Sequence, residues 1–391
     1  SASNASSTLN VNTFVVDTIG PTVASVSSST SNGSYKQNDN ISIQVTFSES
    51  VVVDNSSGNP RIQLETGTND RYANYISGNS TSILSFLYTV QSGDNSSDLD
   101  YKATDSLSVN SGTIRDNATN EAILTLPSPG ASDSLGKNKA IVIDTTAPTV
   151  LSVSSSTSNG SYKQNDNISI QVTFSESVVV DNSSGNPRIQ LETGTNDRYA
   201  NYISGNSTSI LSFLYTVQSG DNSSDLDYKA TDSLSVNSGT IRDNATNEAI
   251  LTLPSPGASG SLGDSKSIVI DNTVPSLAQV TAVLTNNDTT PSYTFSSNEA
   301  GTISYGGSCS SSTTSASSGN NNITFNNLSA GTYSNCTINV TDAVGNISDT
   351  LTINSFGVGA IILFNQTANY HLNGTTPTKS NGNFSASINT V

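Results

Sequence analysis

Residues 17–143 and 144–270 are one sequence written twice, with seven differences that all lie near the two ends of the unit. The interval is constant at 127 residues (144 − 17 and 271 − 144). That is too long for a solenoid turn or a propeller blade and long enough for a domain that closes its own core. The near-identity points to a recent duplication, in which the pair supplies reach or avidity and not two separate chemistries.

The period is marked by Asp17-Thr-Ile-Gly-Pro21, Asp144-Thr-Thr-Ala-Pro148 and Asp271-Asn-Thr-Val-Pro275. Each follows a β-branched run, as in Ile141-Val-Ile143. Proline fixes its own φ and pushes the preceding residue to an extended backbone, so a strand must stop and restart there. These are read as short, stiff junctions between β modules.

Within a repeat the strands alternate in polarity. Ile41, Ile43, Val45 and Phe47 share one face, as do Ile62 with Leu64, and Leu84, Phe86, Tyr88 and Val90. Weaker strands are expected over 22–27, 71–76, 107–114, 122–126 and 139–143. Turns are expected at Ser31-Asn-Gly-Ser34, Ser57-Gly-Asn-Pro60 and Ser77-Gly-Asn79. Seven to nine short strands per repeat and no sustained helical period predict an all-β chain of antiparallel Greek-key sandwiches. Arranged as a rod, each module would span about 40 Å, from strands rising 3.3 Å per residue.

Composition narrows the function. The chain has 391 residues, 12% charged, a net charge of −17, one His (His371), and no Met or Trp. Nucleic acid is disfavoured, because its phosphates need basic stripes; the acidity suits a solvated surface or divalent cations. No apolar run is long enough to span a membrane. With no leader sequence or initiating Met, the chain is expected to be a mature form or a piece of something longer.

Residues 271–356 form a shorter module with the same grammar, and Leu328-Ser-Ala-Gly331-Thr-Tyr333 resembles the tyrosine corner of Ig-like sandwiches. Cys309 and Cys336 both lie in this module; a disulfide between them would imply an oxidising compartment, and two buried thiols are the alternative. Residues 1–16 echo its end, with Asn4, Leu9 and Phe14 matching Asn346, Leu351 and Phe356. They are expected to be the last strand of a preceding module or an exchanged strand. Residues 357–391, opening on the apolar stretch 358–364, are expected to be an incomplete β module or a tail.

The junctions, the stretch Val45-Thr-Phe47-Ser-Glu49 and the turn Asp116-Asn-Ala-Thr-Asn120 resemble tandem bacterial Ig-like repeats of large secreted surface proteins and adhesins. In the third module Tyr333 and Asp342-Ala-Val-Gly345-Asn346 carry the likeness. It covers 17–356 and is specific for architecture, not for ligand. One departure is that Thr119 and Thr246 stand where the related turn has Gly345, and a left-handed residue there is harder for Thr than for Gly.

In such a sandwich, Asp17, Glu49 and Asp116 should meet at one pole. So should Asp144, Glu176 and Asp243 in the second repeat, and Asp271, Glu299 and Asp342 in the third module. Converging hard oxygens suit Ca2+; the alternative is that each acid caps a local turn. The stretch from Asp94 to Asp100, with Asp98, and its copy at Asp221, Asp225 and Asp227 lack the EF-hand spacing and read as a solvated loop. Asn-x-Ser/Thr sequons, among them Asn32, Asn40, Asn79, Asn117 and Asn346, allow glycosylation, although an Asn/Ser/Thr-rich composition explains most of them.

No nucleophile–base set, Cys/His pair or phosphate loop is present, and an enzyme is not expected. Two functions remain. The first is a stalk segment of a cell-surface adhesin, whose partners are further modules or other copies and a cell-surface or matrix ligand. The second is a subunit of an extracellular filament or surface layer joined by terminal strand exchange. A native polypeptide mass well above 40.4 kDa favours the first, and one near it the second.

Overall fold

In a computed structural model, which describes residues 16–359, the alternation read from the sequence becomes alternating burial. Ile41, Ile43, Val45 and Phe47 are buried, while Ser42, Gln44 and Thr46 between them are half-buried. Each such buried side chain contributes about 1.5–3 kcal/mol. The expectations for residues 1–15 and 360–391 lie outside the described residues.

The first repeat runs β1 (Val23–Ser28), β2 (Gly33–Tyr35), β3 (Asn40–Asp54), β4 (Arg61–Leu64), β5 (Arg71–Ser77) and β6 (Thr81–Thr89). It continues with β7 (Asn95–Ser96), β8 (Leu107–Ser108), β9 (Thr113–Arg115), a single helical turn α1 (Leu135–Asn138) and β10 (Ile141–Asp144). One sheet is ordered β1-β3-β6-β5-β4-β8, with β9 on the far half of β3; a smaller sheet is ordered β2-β10-β7. Their apolar faces share one core, from Val26 to Ile143. The second repeat builds a separate core from Val153 to Ile270. The outer edge of β1 is covered: Val26 N–H donates to the Asp133 carbonyl at 2.8 Å and Asn138 Nδ2 to the Val26 carbonyl at 2.8 Å. A strand edge satisfied in this way is closed to pairing with another chain.

Three local expectations are corrected. Gly33 and Ser34, expected within a turn, form β2 together with Tyr35 and pair in parallel with Ile141 to Ile143, a departure from an all-antiparallel fold. Residues 107–114 are two short strands, because Asn110 and Ser111 adopt φ of 47° and 73° between them. Residues 122–126 make no ladder; Ile123 forms one isolated bridge to Thr22.

The chain divides into two compact units between Asn272 and Thr273. The second unit carries a sheet of Leu277–Thr281, Ser292–Ser297 and Gly319–Thr324. Another contains Ser315–Ala316, Gly301–Gly306, Thr337–Thr341 and Leu351–Thr352, and Gly331–Tyr333 pairs with Phe356–Val358. Its core is an aromatic stack, with Tyr293–Phe325, Phe325–Phe356 and Tyr333–Phe356 centroids 6.3, 6.0 and 5.4 Å apart. Cys309 and Cys336 are buried and joined by a disulfide. Tyr333 donates its hydroxyl to the Ser329 carbonyl at 2.9 Å. Tyr35 and Tyr162 make the same bond, to the Ser31 and Ser158 carbonyls at 2.7 Å. The shared spacing Ser-x-Gly-Ser/Thr-Tyr was the signal for these two corners. Among the described residues no helix is long and apolar enough to cross a membrane, which says nothing about strands.

Candidate metal centre at the repeat junctions

Asp144 is the last residue of β10, held opposite Asn95 of β7. The next residue is gripped by the loop before β7. Thr145 Oγ1 donates to the Asp94 carbonyl at 3.0 Å and accepts from Gly93 N–H at 3.1 Å. Thr145 N–H donates to Asn95 Oδ1 at 3.3 Å. The first repeat therefore fixes the backbone that carries Asp144 into the second.

The other two acids come from the second repeat. Glu176 lies in the long strand Asn167–Asp181, where its pairing with Thr208–Thr216 shifts register between Thr173 and Val178. An irregularity of this kind re-aims side chains off the ladder. Glu49 occupies the same break in β3, between Thr46 and Val51. Asp243 opens the turn after Thr240–Arg242. Its Oδ1 accepts Asn247 N–H at 2.8 Å and its Oδ2 accepts Asn247 Nδ2 at 2.7 Å. The same amide donates to the Asp144 carbonyl at 2.9 Å, so Asn247 ties the incoming chain to the turn. Asn120 does this between Asp116 and the Asp17 carbonyl, at 2.6 and 3.1 Å.

Both sets of three converge. One carboxylate oxygen from each of Asp17, Glu49 and Asp116 lies within 4.8 Å of the others, and so it is for Asp144, Glu176 and Asp243. Two oxygens on one Ca2+ at 2.3–2.6 Å can stand at most about 5 Å apart, so the spacing and the hard donors fit that ion. Local capping occurs in the same residues: Asp17 Oδ1 accepts Ile19 N–H at 3.1 Å and Asp144 Oδ1 accepts Thr146 N–H at 2.9 Å. A carboxylate has about four acceptor sites, so a turn bond and a cation are compatible. The third set is divided between the two units, with Asp271 in the first and Glu299 and Asp342 in the second. Asp342 repeats the turn, accepting from Val344, Gly345 and Asn346 N–H at 2.9, 2.7 and 2.8 Å.

The electrostatics follow from this crowding. Burial pushes the Glu176 carboxyl above its usual value, and the Asp144 and Asp243 carboxylates add to the rise. Burial also pushes Asp116 up, but bonds from the Asn120 side chain and from Asn120, Ala118 and Thr119 N–H outweigh it and hold the group low. The two centres differ in cover. Ala118 beside the first is exposed, while Ala245 beside the second is only 2% exposed. Lys36 of the first repeat reaches the second turn and donates to the Thr246 carbonyl at 3.0 Å.

Thr119 and Thr246 have φ of 73° and 69° where Gly345 has 94°, so the turn is left-handed with Thr in it. Asp94, expected in a solvated loop, is fully buried. It accepts from Arg71 Nε at 2.8 Å, the Tyr88 hydroxyl at 2.7 Å and Gln91 N–H at 2.9 Å. Asp221 repeats this with Arg198, Tyr215 and Gln218. Asp98 is exposed and Asp100 half-buried, so of the acids in this loop and its copy only Asp94 and Asp221 are fully buried. Of the sequon residues, Asn32, Asn40, Asn79 and Asn117 are exposed, whereas Asn346 Nδ2 is engaged by Asp342 Oδ2 at 2.8 Å.

No family model and no curated protein matches the sequence. Among solved structures, the S-layer protein rSbsC is similar at 11% identity over 88% of this chain and 55% of that one, with a TM-score of 0.22. An ICAM-5 D1–D4 ectodomain fragment is similar at 9% identity over 86% and 76%, with a TM-score of 0.25. Escherichia coli alpha-2-macroglobulin is similar at 9% identity over 86% and 32%, with a TM-score of 0.21. The chain spans about half the length of the S-layer chain. At these scores the likenesses carry no argument, and the all-β architecture rests on the chain's own sheets and cores.

Proposed function

We propose that this chain is a non-enzymatic segment of an exported cell-surface protein, an Ig-like repeat stalk of an adhesin, in which Ca2+ fixes each repeat on the next. The observation that carries the reading is Asp144. It belongs to the closing strand of one repeat and stands within 4.8 Å of Glu176 and Asp243 of the other, so one ion there would bind both modules. The near-identical repeats supply length, the Pro-bearing junctions limit bending, and the buried disulfide suits an oxidising compartment. Its partners would be further modules or other copies of the same surface protein, with a cell-surface or matrix ligand engaged elsewhere.

Chelation tests the reading. At 100 times its dissociation constant a bound ion adds about 2.7 kcal/mol, so removing Ca2+ is expected to lower the melting temperature of the repeats by about 5–10 °C. It should also shorten the particle in small-angle scattering, and added Ca2+ should restore both. No change in either quantity would overturn the role of calcium.

A further inference from the structure

Resting on the stalk reading above, in which the chain carries tension, we propose that the third module is the extensible element: under end-to-end tension it opens before either repeat, and its disulfide sets how far it lengthens.

Tension enters a module through its first strands and leaves through its last. Where those strands lie parallel and adjacent, pulling drags one past the other, and every hydrogen bond between them must stretch together. Where they are antiparallel at a loaded end, the bonds break in succession. In the first repeat β2 and β10 are parallel over three residue pairs, Gly33 with Ile141, Ser34 with Val142 and Tyr35 with Ile143. Gly160–Tyr162 and Ile268–Ile270 repeat the seam in the second. Further bonds cross it: Gly33 N–H to the Ala140 carbonyl at 3.0 Å, Ala140 N–H to Asn32 Oδ1 at 3.2 Å and Lys139 Nζ to the Thr30 carbonyl at 3.1 Å.

Among the described residues the third module has one parallel bridge in the corresponding place, Asn286 with Val358. It is held by Asn286 N–H on the Gly357 carbonyl at 3.2 Å, Gly359 N–H on the Asn286 carbonyl at 2.9 Å and Gly357 N–H on Thr285 Oγ1 at 2.9 Å. Among the described residues its core is also smaller, with 15 buried hydrophobic residues against 22 in each repeat. A single bridge over a smaller core yields at lower force than a three-pair seam over a larger one. Once it yields, the Cys309–Cys336 bond holds a loop with a sequence separation of 27 out of the lengthening chain.

Force spectroscopy on the 391-residue chain, held by its two ends, tests this. At about 3.6 Å per extended residue, one short event of about 20 nm should come first, followed by two long events of about 45 nm each. A dithiol present throughout should leave the first event unchanged, because both cysteines are buried, and then add about 10 nm once the module is open. Val142→Pro removes a ladder N–H from the first seam only. One long event should then move to lower force while the other stays as its control. If that repeat fails to fold, Asn32→Ala, at an exposed position, should lower the force of one long event by about 10–20%, scaled to one bond lost among several.

A long event preceding the short one, an absent dithiol step, or unchanged forces in both variants would overturn the proposal. The order of events is a property of the isolated chain. Failure to find the protein on a cell surface would overturn the stalk reading and leave this order standing.

Discussion

The repeats and the third module carry the same two local devices, a tyrosine hydroxyl on the carbonyl four residues back and an Asp–Asn turn, on different supports. Each repeat closes with a parallel seam and hides the Arg71–Asp94–Tyr88 cluster, or its Arg198–Asp221–Tyr215 copy. The third module closes with a disulfide and a stack of aromatic rings. Local turn chemistry thus does not dictate how a sandwich is held shut; a small core can be completed by a covalent bond where a larger one uses backbone and buried charge.

The sharpest way to break the comparison is to remove the covalent link. Replacing Cys309 and Cys336 together by Ser is expected to destabilise the third module by about 3–4 kcal/mol, from the loop-closure entropy of this loop length. Its melting transition should fall while that of the repeats stays. Equal shifts in both would show that the modules do not close independently.

Next in size is the buried charge. Asp94→Ala strands the Arg71 guanidinium and the Tyr88 hydroxyl, which should cost the first repeat about 3 kcal/mol. Native-state hydrogen exchange reads this directly, with the unaltered second repeat as reference. Protection that stays equal in the two repeats would contradict the role assigned to Asp94.

Alkali gives a smaller difference. Burial first, and then the Asp94 carboxylate, push the Tyr88 hydroxyl far above its usual value, and Tyr215 follows the same pattern with Asp221. Burial alone raises Tyr293 to about 12. A tyrosine whose pKa is raised on folding lends stability below the unfolded value near 10 that is lost as pH climbs above it. Between pH 10 and 12 the repeats should therefore lose more stability than the third module, as read by chemical denaturation of each at a series of pH values. Equal losses in the two would remove this distinction.

The smallest effect lies in the turn they share. Gly345→Thr should cost about 1 kcal/mol by placing a branched residue at a left-handed φ, while Thr119→Gly should gain about 0.5 kcal/mol. Chemical denaturation of each single variant is sensitive enough to separate the signs.

How much of this was legible depends on how far the determining contact lies along the chain. Ile41 to Phe47 announce their strand because burial alternates within seven residues. The acids at 17, 49 and 116 could be grouped because the resemblance to Ig-like sandwiches brings the chain entry and two loops to one pole, and Thr119 could be flagged because a related turn has Gly. Asp94 could not be read correctly. Its burial depends on Arg71 in a different strand, and by itself the loop of Asp, Asn and Ser looks solvated. The seam was hidden for a similar reason, since Asn32-Gly33 is a strong local turn signal and only pairing with Ile141 to Ile143 makes the residues after it a strand.

The central claim is that a cation at Asp144, Glu176 and Asp243 sets the angle between the repeats. Spin labels at the exposed positions Ser56 and Ser183, read by pulsed dipolar spectroscopy with Ca2+ and with chelator, test it most directly. The account predicts a narrow distance distribution with Ca2+, a broad one with chelator, and no response to Ca2+ in Glu176→Gln. Distributions of equal width in all three would contradict it.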